Sequence, residues 1–280
     1  MIYTIMNKIN VVCTFLFQMI YSPLVLFSPF WSLTVISILT GIFMLWIFSK
    51  TSNQQAIKLI KDKIRANLIA VRLYKEDLWI FILLQGRILR DTLIYMRYSL
   101  TPLIIMIIPI FLIIVQLHLH YSVRSLFPGE DALVKVKVNN TDLLNDMTHI
   151  VMQKSDAFNI ETSAVRITAE NEMDWRISGK IVGRHMIHFR VGENDITKEL
   201  CIGIDKGGIS NIRTERNIYQ MILYPGESPL DNSTGIQSIE ITYPPMIITI
   251  FGWKVNWLVH FLLISIIFGY ALKGPLGVQL

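Results

Sequence analysis

Residues 100–119 read LTPLIIMIIPIFLIIVQLHL, a run of 20 residues without a single acidic or basic side chain apart from one histidine. At a rise of about 1.5 Å per residue, this run is long enough to cross the ~30 Å hydrocarbon core of a bilayer as one helix. Two further runs, 30–49 and 251–272, have a similar length and also contain no Asp or Glu. The sequence therefore predicts three transmembrane helices.

The charge of the segments between these runs predicts their sidedness. Segment 50–98 contains ten Lys or Arg and four Asp or Glu, a net charge of +6, whereas segment 121–248 contains thirteen and seventeen, a net charge of −4. Because basic loops remain on the cytoplasmic side, we expect 50–98 and the tail 273–280 in the cytoplasm. The N-terminus and 121–248 are then expected outside a prokaryotic inner or plasma membrane.

The composition is that of a membrane protein, with 52% hydrophobic residues. The net charge of +5 results from this partition, so it does not indicate a nucleic-acid-binding protein. Of the two cysteines, Cys13 and Cys201, only the second lies in 121–248. That segment therefore has no internal disulfide and needs a packed core for its stability.

Residues 1–29 are apolar but carry a polar stripe at helical spacing. The stripe consists of Thr4, Asn7, Lys8, Thr14, Gln18 and Ser22. This pattern predicts an amphipathic helix over 3–22 that lies in the outer interface of the membrane. Two alternatives remain open. One is a cleaved signal peptide, which the absence of a small-residue cleavage site disfavours. The other is a fourth span, which is disfavoured because no polar loop separates it from the first span.

Segment 50–98 predicts two helices joined by a turn at Tyr74–Asp77. The first has an apolar stripe of Ile57, Ile60, Ile64, Leu68 and Val71, and the second has Leu84, Ile88, Thr92 and Tyr95 on one face. Helices joined by a short turn pack antiparallel, so we expect a basic helical hairpin that projects from the membrane. The alternative interpretation is a solvated charged surface that serves only the topology.

Segment 121–248 changes to a period of two residues, which is typical of strands. The alternating runs are Leu133–Val138, Val165–Thr168, Trp175–Val182, Met186–Val191, Thr197–Ile204, Ile218–Tyr224 and Ile236–Tyr243. Turns are expected at 183–185 and 192–195, a short helix within 142–162 is left open, and Pro244-Pro245 forms a stiff link to the third span. Seven strands in this length predict an all-β, immunoglobulin-like antiparallel sandwich inserted in a helical membrane protein.

No pattern in the sequence favours an enzyme, a cofactor or a metal. His185 and His188 would lie on opposite faces of a strand and cannot share an ion. The alternating acids from Glu170 to Asp174 lack the glycine-punctuated loop of a calcium site. Catalytic and phosphate-binding motifs such as Gly-x-Ser-x-Gly are also absent.

The spans contain few polar residues, and these form the candidate site. They include Ser37 and Thr40 in the first span, Gln116 in the second, and Asn256 and His260 in the third. Two interpretations are open: ordinary hydrogen bonds between helices, or a half-hydrated groove for a polar segment in transit. Pro102 and Pro109 leave carbonyl groups of the second span unpaired, which a hydrated neighbour would satisfy.

The second span is entered through Met96-Arg97-Tyr98-Ser99-Leu100-Thr101-Pro102, with Pro109 seven residues later. Together with the N-outside first span and the basic hairpin, this order resembles the YidC/Oxa superfamily of membrane-protein insertases, especially its short three-span archaeal and eukaryotic-type members. The resemblance covers about 1–120 and 250–280. Two features depart from the family: the first span lacks the groove arginine of bacterial-type members, and compact members have only a short loop in place of 121–248.

The resemblance implies an insertase whose partners are nascent membrane proteins, the ribosome and the lipid bilayer, without other nucleic acid. Hairpin cations would dock the ribosome or nascent chain, namely Lys58, Lys61, Arg65, Arg72, Arg87 and Arg90. Client-contacting groove residues would be Ser37, Thr40, Gln116, Asn256 and His260. The alternative function is a membrane-anchored binding or scaffold protein whose segment 121–248 recognises a partner or ligand.

Overall fold

A computed structural model of the chain describes residues 2–74, 76–139, 150–192, 194–203, 208–250 and 252–274. The chain divides into two compact units. The first unit comprises Met1–Ser32 and Ile114–Trp257, and the second unit comprises Leu33–Ile113 and Leu258–Leu280. Helices and antiparallel sheets are both present, so the predicted combination of a helical part and a β domain is confirmed at this level.

Two of the helices have the length and apolar composition needed to cross a membrane. The helices are α1 (Ile2–Tyr21), α2 (Pro29–Thr51), α3 (Gln54–Leu73), α4 (Leu78–Tyr121), α5 (Ile218–Leu223) and α6 (Trp257–Leu272). The two candidate spans are α2 and α4. Helix α6 is apolar but has only 16 residues, about 24 Å at the usual helical rise.

The predicted helical span 251–272 is wrong at its start. Ile248–Ile250 and Trp253–Val255 form a short antiparallel hairpin, and the helix begins only at Trp257. Gly252 in the turn has φ of +86°, a conformation that favours glycine. The turn at Gly252 therefore favours a hairpin here, although the segment is apolar enough for a span.

The predicted hairpin of 50–98 is present, with its turn after Leu73. Asn53 caps α3 by accepting a hydrogen bond from the Ala56 amide at 3.0 Å. Asp77 caps α4 in the same way, accepting from the amides of Trp79 and Ile80. Helix α4 does not end near residue 98 but continues without a break through Pro102 and Pro109. The second hairpin helix and the second apolar run are therefore one helix of 44 residues.

The first unit contains two antiparallel sheets and the β10–β11 hairpin. The strands are β1 (Asp131–Val138), β2 (Ile150–Met152), β3 (Phe158–Ile160), β4 (Val165–Ile167), β5 (Glu172–Gly179), β6 (Gly183–Val191), β7 (Asn194–Ile202), β8 (Ile212–Thr214), β9 (Ile236–Ile241), β10 (Ile248–Ile250) and β11 (Trp253–Val255). The larger sheet has the order β3-β5-β1-β9-β8, with β4 also paired to β5, and the smaller has the order β2-β6-β7. Trp175 and Phe189 pack edge to face between the sheets, in a shared apolar core.

Two predictions within the β region are wrong. Ile218–Tyr224 is not a strand but helix α5, because the Asn217 side chain caps its first turn by accepting from the Tyr219 amide at 3.0 Å. The expected turn at 183–185 lies instead at 180–182, and β6 begins at Gly183. The turn expected at 192–195 is present but shorter: Gly192 has φ of +58°, and β7 already begins at Asn194. Of the uncertain segment 142–162, residues 142–149 lie outside the described residues, and the remainder contains β2 and β3.

Candidate functional site

Three of the five predicted groove residues lie in the second unit, where α2 packs against α6. Ser37, Thr40 and His260 are all buried. The Ser37 hydroxyl donates to the carbonyl of Leu33 at 2.7 Å, four residues earlier in the same helix. The Thr34 hydroxyl lies 2.9 Å from Nε2 of His260, which joins the two helices by a hydrogen bond.

Small residues allow α2 and α6 to approach closely. A Cβ atom added to Gly41 would lie 2.6 Å from the carbonyl oxygen of Ser265 and within 3.4 Å of the Gly269 amide nitrogen. Contacts of this kind are typical of helix pairs within membranes. In this arrangement Ser37 and Thr40 face protein, which is the situation that the helix–helix interpretation describes.

The other two predicted groove residues, Gln116 and Asn256, belong to the first unit. Gln116 Nε2 donates to the Thr14 hydroxyl of α1 at 3.1 Å. The side-chain oxygen of Gln116 is buried without a hydrogen-bond partner among the described residues. Asn256 is exposed and directly precedes α6.

A helix, α1, is present over the segment for which an amphipathic helix is predicted, and two members of its polar stripe, Thr14 and Gln18, contact α4 within the first unit. The Gln18 side-chain oxygen lies 3.4 Å from Nε2 of His120. Asn10, which is not part of the stripe, also binds protein, because its Nδ2 donates to the Met221 carbonyl of α5 at 2.6 Å. The opposite face of the helix exposes Val11, Val12, Phe15, Leu16, Met19 and Ile20. Sequence reasoning missed the partner of the stripe, although Gln116 and His120 form a matching polar pair one turn apart on α4.

The predicted docking cations lie on the α3–α4 hairpin, and most of them are exposed. Five are exposed, namely Lys58, Arg65, Arg72, Arg87 and Arg90. The sixth, Lys61, is half-buried, with its Nζ atom 5.5 Å from the centre of the Tyr95 ring. Arg90 lies 3.0 Å from the carboxylate of Asp91.

The predicted apolar stripes of this hairpin are only partly buried. Ile57 on α3 and Leu84 on α4, the first residue of each stripe, are buried, whereas Leu68 is 50% exposed. Asn67 Nδ2 donates to Asp91 Oδ2 at 3.4 Å, which links the two helices, and only 6% of the Asp91 side chain is exposed. The hairpin therefore has a defined internal contact surface and an outer surface rich in cations.

Apolar side chains also lie on the outside of the hairpin, and sequence reasoning missed this feature. Around the turn, the exposed ones are Leu73, Tyr74, Leu78, Trp79 and Ile82. The sequence contains a signal for this exposed apolar surface, because these residues lie outside the two predicted apolar stripes of the hairpin. A surface that combines cations with apolar side chains suits peptide segments or lipid better than water alone.

The first unit contains a fully buried cation at a core position of strand β7. Lys198 lies between Ile196 and Leu200 on the inner face of the strand, and none of its surface is exposed. Its Nζ atom donates to the carbonyl of Ser210 at 2.7 Å and pairs with the carboxylate of Glu227. Burial lowers the pKa of Lys198, and the charge of Glu227 opposes this effect.

Side chains take the place of a neighbouring strand along much of the outer edge of β7. The Thr197 carbonyl accepts from Arg213, the Glu199 amide donates to Glu227 at 3.2 Å, and the Cys201 amide donates to the Tyr243 hydroxyl at 3.0 Å. Covering an edge in this way prevents unwanted strand pairing.

A polar cleft of about 280 Å³ opens at the beginning of β7. Its charged lining residues are Asp195, Arg213, Arg216 and Asp231. Arg213 already donates to the Ser228 carbonyl at 2.8 Å, whereas Arg216 and Asp231 are 3.9 Å apart and largely exposed. The cleft therefore offers charges of both signs to a polar ligand.

The described residues contain no group of three or more His, Cys, Asp or Glu side chains able to hold a metal ion. His185 and His188 lie on β6 three residues apart, and Nε2 of His185 is 2.8 Å from the carbonyl oxygen of Ile181. No protein-family model, curated protein or solved structure matches the chain.

Proposed function

We propose that the chain is a membrane-protein insertase that acts without a cofactor. In this proposal α2, the apolar part of α4 and the short helix α6 cross a prokaryotic inner or plasma membrane. The α3–α4 hairpin lies in the cytoplasm, and the N-terminus and the β strands, arranged as an immunoglobulin-like sandwich, lie outside.

The observation that supports this function most is the hairpin: most of its cations are exposed, Ile57 and Leu84 are buried, and a hydrogen bond from Asn67 to Asp91 joins its two helices. An anchor that needs only the correct topology has no requirement for a folded basic hairpin. An insertase does require such a hairpin, because it must capture ribosomal RNA phosphates and nascent chains near the membrane. Exposed Lys and Arg side chains attract phosphates over a distance of about one Debye length.

The helices also offer features that lower the barrier for a polar segment. Each unsatisfied backbone group in hydrocarbon costs several kcal/mol. Helix α6 is about 6 Å shorter than a typical ~30 Å hydrocarbon core, which favours local thinning of the bilayer. Gln116 carries a buried oxygen without a partner among the described residues, and such a group favours water at that depth.

Photo-crosslinking to stalled ribosome–nascent chain complexes of a multi-span membrane protein tests the proposal. Probes replace Gln55 and Gln85, two exposed neutral residues of the hairpin, and a control probe replaces the exposed Ser233 of the first unit. We expect nascent-chain or ribosomal adducts from the hairpin and none from Ser233. Equal yields from all three positions, or none from the hairpin, would exclude an insertase role.

Charge variants sharpen the same experiment. The double variant Lys58→Gln/Arg87→Gln removes two exposed charges, and Lys154→Gln/Lys180→Gln removes two exposed charges from the first unit. At up to about 1 kcal/mol for each contact, the hairpin variant should lower adduct yield by at most about thirtyfold. The control pair should leave the yield unchanged.

The polar cleft at the beginning of β7 supports a second candidate function, a membrane-anchored binding protein. Its charged lining suits a polar partner on the side opposite the hairpin. Adducts from the Ser233 probe with a protein other than the nascent chain, together with none from the hairpin, would favour this function over the first.

A further inference from the structure

The β10–β11 hairpin has one apolar and one polar face. Because residues alternate along each strand, Ile248, Ile250, Trp253 and Val255 share one face, and Thr249 and Lys254 share the other. Burial on the apolar face decreases from the base to the tip. Ile248 is buried, Ile250 and Val255 are half-buried, and Trp253 is 79% exposed. The hairpin therefore presents a large aromatic side chain that the first unit does not cover.

The base of this hairpin is held next to the end of α4. The Met246 amide donates to the carbonyl of Ser122 at 3.1 Å, and Ser122 directly follows the last residue of α4. On the other side, a single residue, Asn256, separates β11 from α6. The ring of Trp257, the first residue of α6, lies 6.0 Å from that of His118 on α4. Both connections place the hairpin where the apolar helices end.

Helix α5 lies at the same level along α4 and adds to the exposed surface. Leu223 and Tyr224 line a small crevice together with His118 and Leu119. A Cβ atom on Gly226 would lie 2.8 Å from the side chain of Leu119, so the loop after α5 is packed tightly on the helix. On the outside of α5, Tyr219 is exposed.

We infer that the β10–β11 hairpin is an interfacial membrane anchor, with its apolar face and Trp253 inserted at the boundary between lipid headgroups and acyl chains. The occupant of this face is lipid. Trp and Tyr side chains prefer this depth because one end is apolar and the other forms hydrogen bonds. Lys254 on the opposite face reaches lipid phosphates. The inference requires that α4 and α6 lie in a membrane, but it does not depend on insertase activity.

Depth-dependent fluorescence quenching tests this placement in the full-length chain. Single cysteines at Trp253→Cys, Thr249→Cys and Val151→Cys carry an environment-sensitive fluorophore, in a Cys13→Ser background in which Cys201 remains buried. Val151 is the matched control, because it is an exposed apolar residue on another strand, β2. It pairs with Arg190, which lies near the C-terminal end of β6. The protein is reconstituted into phosphatidylcholine–phosphatidylglycerol vesicles that contain lipids with a spin label at the shallow or the deep end of the acyl chain.

We expect the shallow label to quench position 253 about twofold or more above position 151, with position 249 between the two. Quenching of position 253 only by the deep label would show that it lies inside a span and would overturn an interfacial anchor. Quenching no greater than at position 151 would show that the hairpin is surrounded by water or protein. The last result overturns the inference while leaving the insertase proposal untouched, since the crosslinking experiment reports on a different part of the chain.

Discussion

The free energy of unfolding of the first unit depends strongly on Lys198. This buried cation lies on a strand whose neighbouring inward positions are apolar. Removing its partner by Glu227→Ala leaves a buried charge whose remaining hydrogen bond, among the described residues, is to the carbonyl of Ser210. We expect this change to lower the free energy of unfolding by about 3–5 kcal/mol. The buried thiol of Cys201 reports the opening of the core, so its modification rate, measured against denaturant in a Cys13→Ser background, gives the loss.

The double variant Lys198→Met/Glu227→Ala is the matched control. It removes both charges and keeps an apolar chain of similar length at the core position, so it should recover most of the stability lost in Glu227→Ala. If Glu227→Ala leaves the protection of Cys201 unchanged, then water reaches Lys198 and the pair does not contribute to stability.

The ion pair between Arg124 and Glu130 predicts that the stability of the first unit depends on pH. Hydrogen bonds from Arg124, at 2.7 and 2.8 Å, are the main reason why the pKa of Glu130 is lowered from 4.5 to about 2. A lowered pKa in the folded state stabilises the protein above the unfolded pKa, and this contribution is lost as the pH falls from about 4.5 toward 2.

The variant Glu130→Gln should therefore remove part of the decline in stability within this window and leave the remainder. Denaturant unfolding followed by tryptophan fluorescence at a series of pH values measures the difference. Asp195→Asn is the control, because it removes an exposed carboxylate that lies 3.9 Å from Arg190. An identical pH profile for the parent and Glu130→Gln would contradict the role of the Arg124–Glu130 pair.

At the scale of elements, the contact between α2 and α6 rests on the absence of a side chain at Gly41. An added methyl group would lie 2.6 Å from a backbone carbonyl, which a side-chain movement cannot relieve. We expect Gly41→Ala to destabilise the second unit by about 1–3 kcal/mol, because the helices must separate. Thermal inactivation in detergent, read as loss of the monodisperse protein, measures the effect.

Gly86 provides the matched control on α4. A Cβ atom there meets nothing within 4 Å, and the position is exposed in the middle of the helix. Gly86→Ala should stabilise the helix by up to about 1 kcal/mol, because alanine has the higher helix propensity. If Gly41→Ala stabilises the second unit as Gly86→Ala stabilises the helix, helix propensity outweighs packing at Gly41.

The elements that the sequence predicts well are those in which one periodicity extends over many residues. The stripe from Ile57 along α3 and the alternation of Leu133–Val138 both correspond to observed elements. The prediction fails at Ile218–Tyr224, where a short apolar run fits helix and strand equally and a cap at Asn217 decides. It fails again before Trp257, where a turn glycine outweighs overall hydrophobicity.

The candidate site was predictable residue by residue but not in its arrangement. Polar positions within apolar helices are visible in the sequence, so Ser37, Gln116 and His260 are easily chosen. Their partners are not visible, because the Thr14–Gln116 contact joins residues 102 positions apart. Long-range contacts of this kind depend on tertiary packing, which no local pattern encodes.

At the scale of the whole molecule, α4 is longer than a single membrane span requires. Its 44 residues extend about 66 Å, roughly twice the hydrocarbon thickness of a bilayer. About half of the helix must therefore lie outside hydrocarbon if the apolar half spans. On the proposed topology, the basic half, with Arg87, Arg90 and Arg97, would be the part in water.

The positive charge of this half predicts which side it occupies, and cysteine accessibility tests that prediction. In a Cys13→Ser background, Gln55→Cys places an exposed thiol on α3, and Ser233→Cys places one on the first unit. A membrane-impermeant maleimide added to intact cells should modify position 233 and not position 55, because segments as basic as the +6 segment 50–98 tend to stay in the cytoplasm. After permeabilisation, both positions should react at similar rates.

The reverse pattern would place the hairpin outside the membrane and exclude it as a docking surface for the ribosome. The polar cleft at β7 would then face the cytoplasm, and a binding function for the first unit would become the better explanation of the same structure. Reaction at both positions in intact cells would indicate a mixed orientation, which a charge difference of ten units between the two segments opposes. The accessibility of two thiols therefore decides whether the hairpin or the cleft is the surface that meets a cytoplasmic partner.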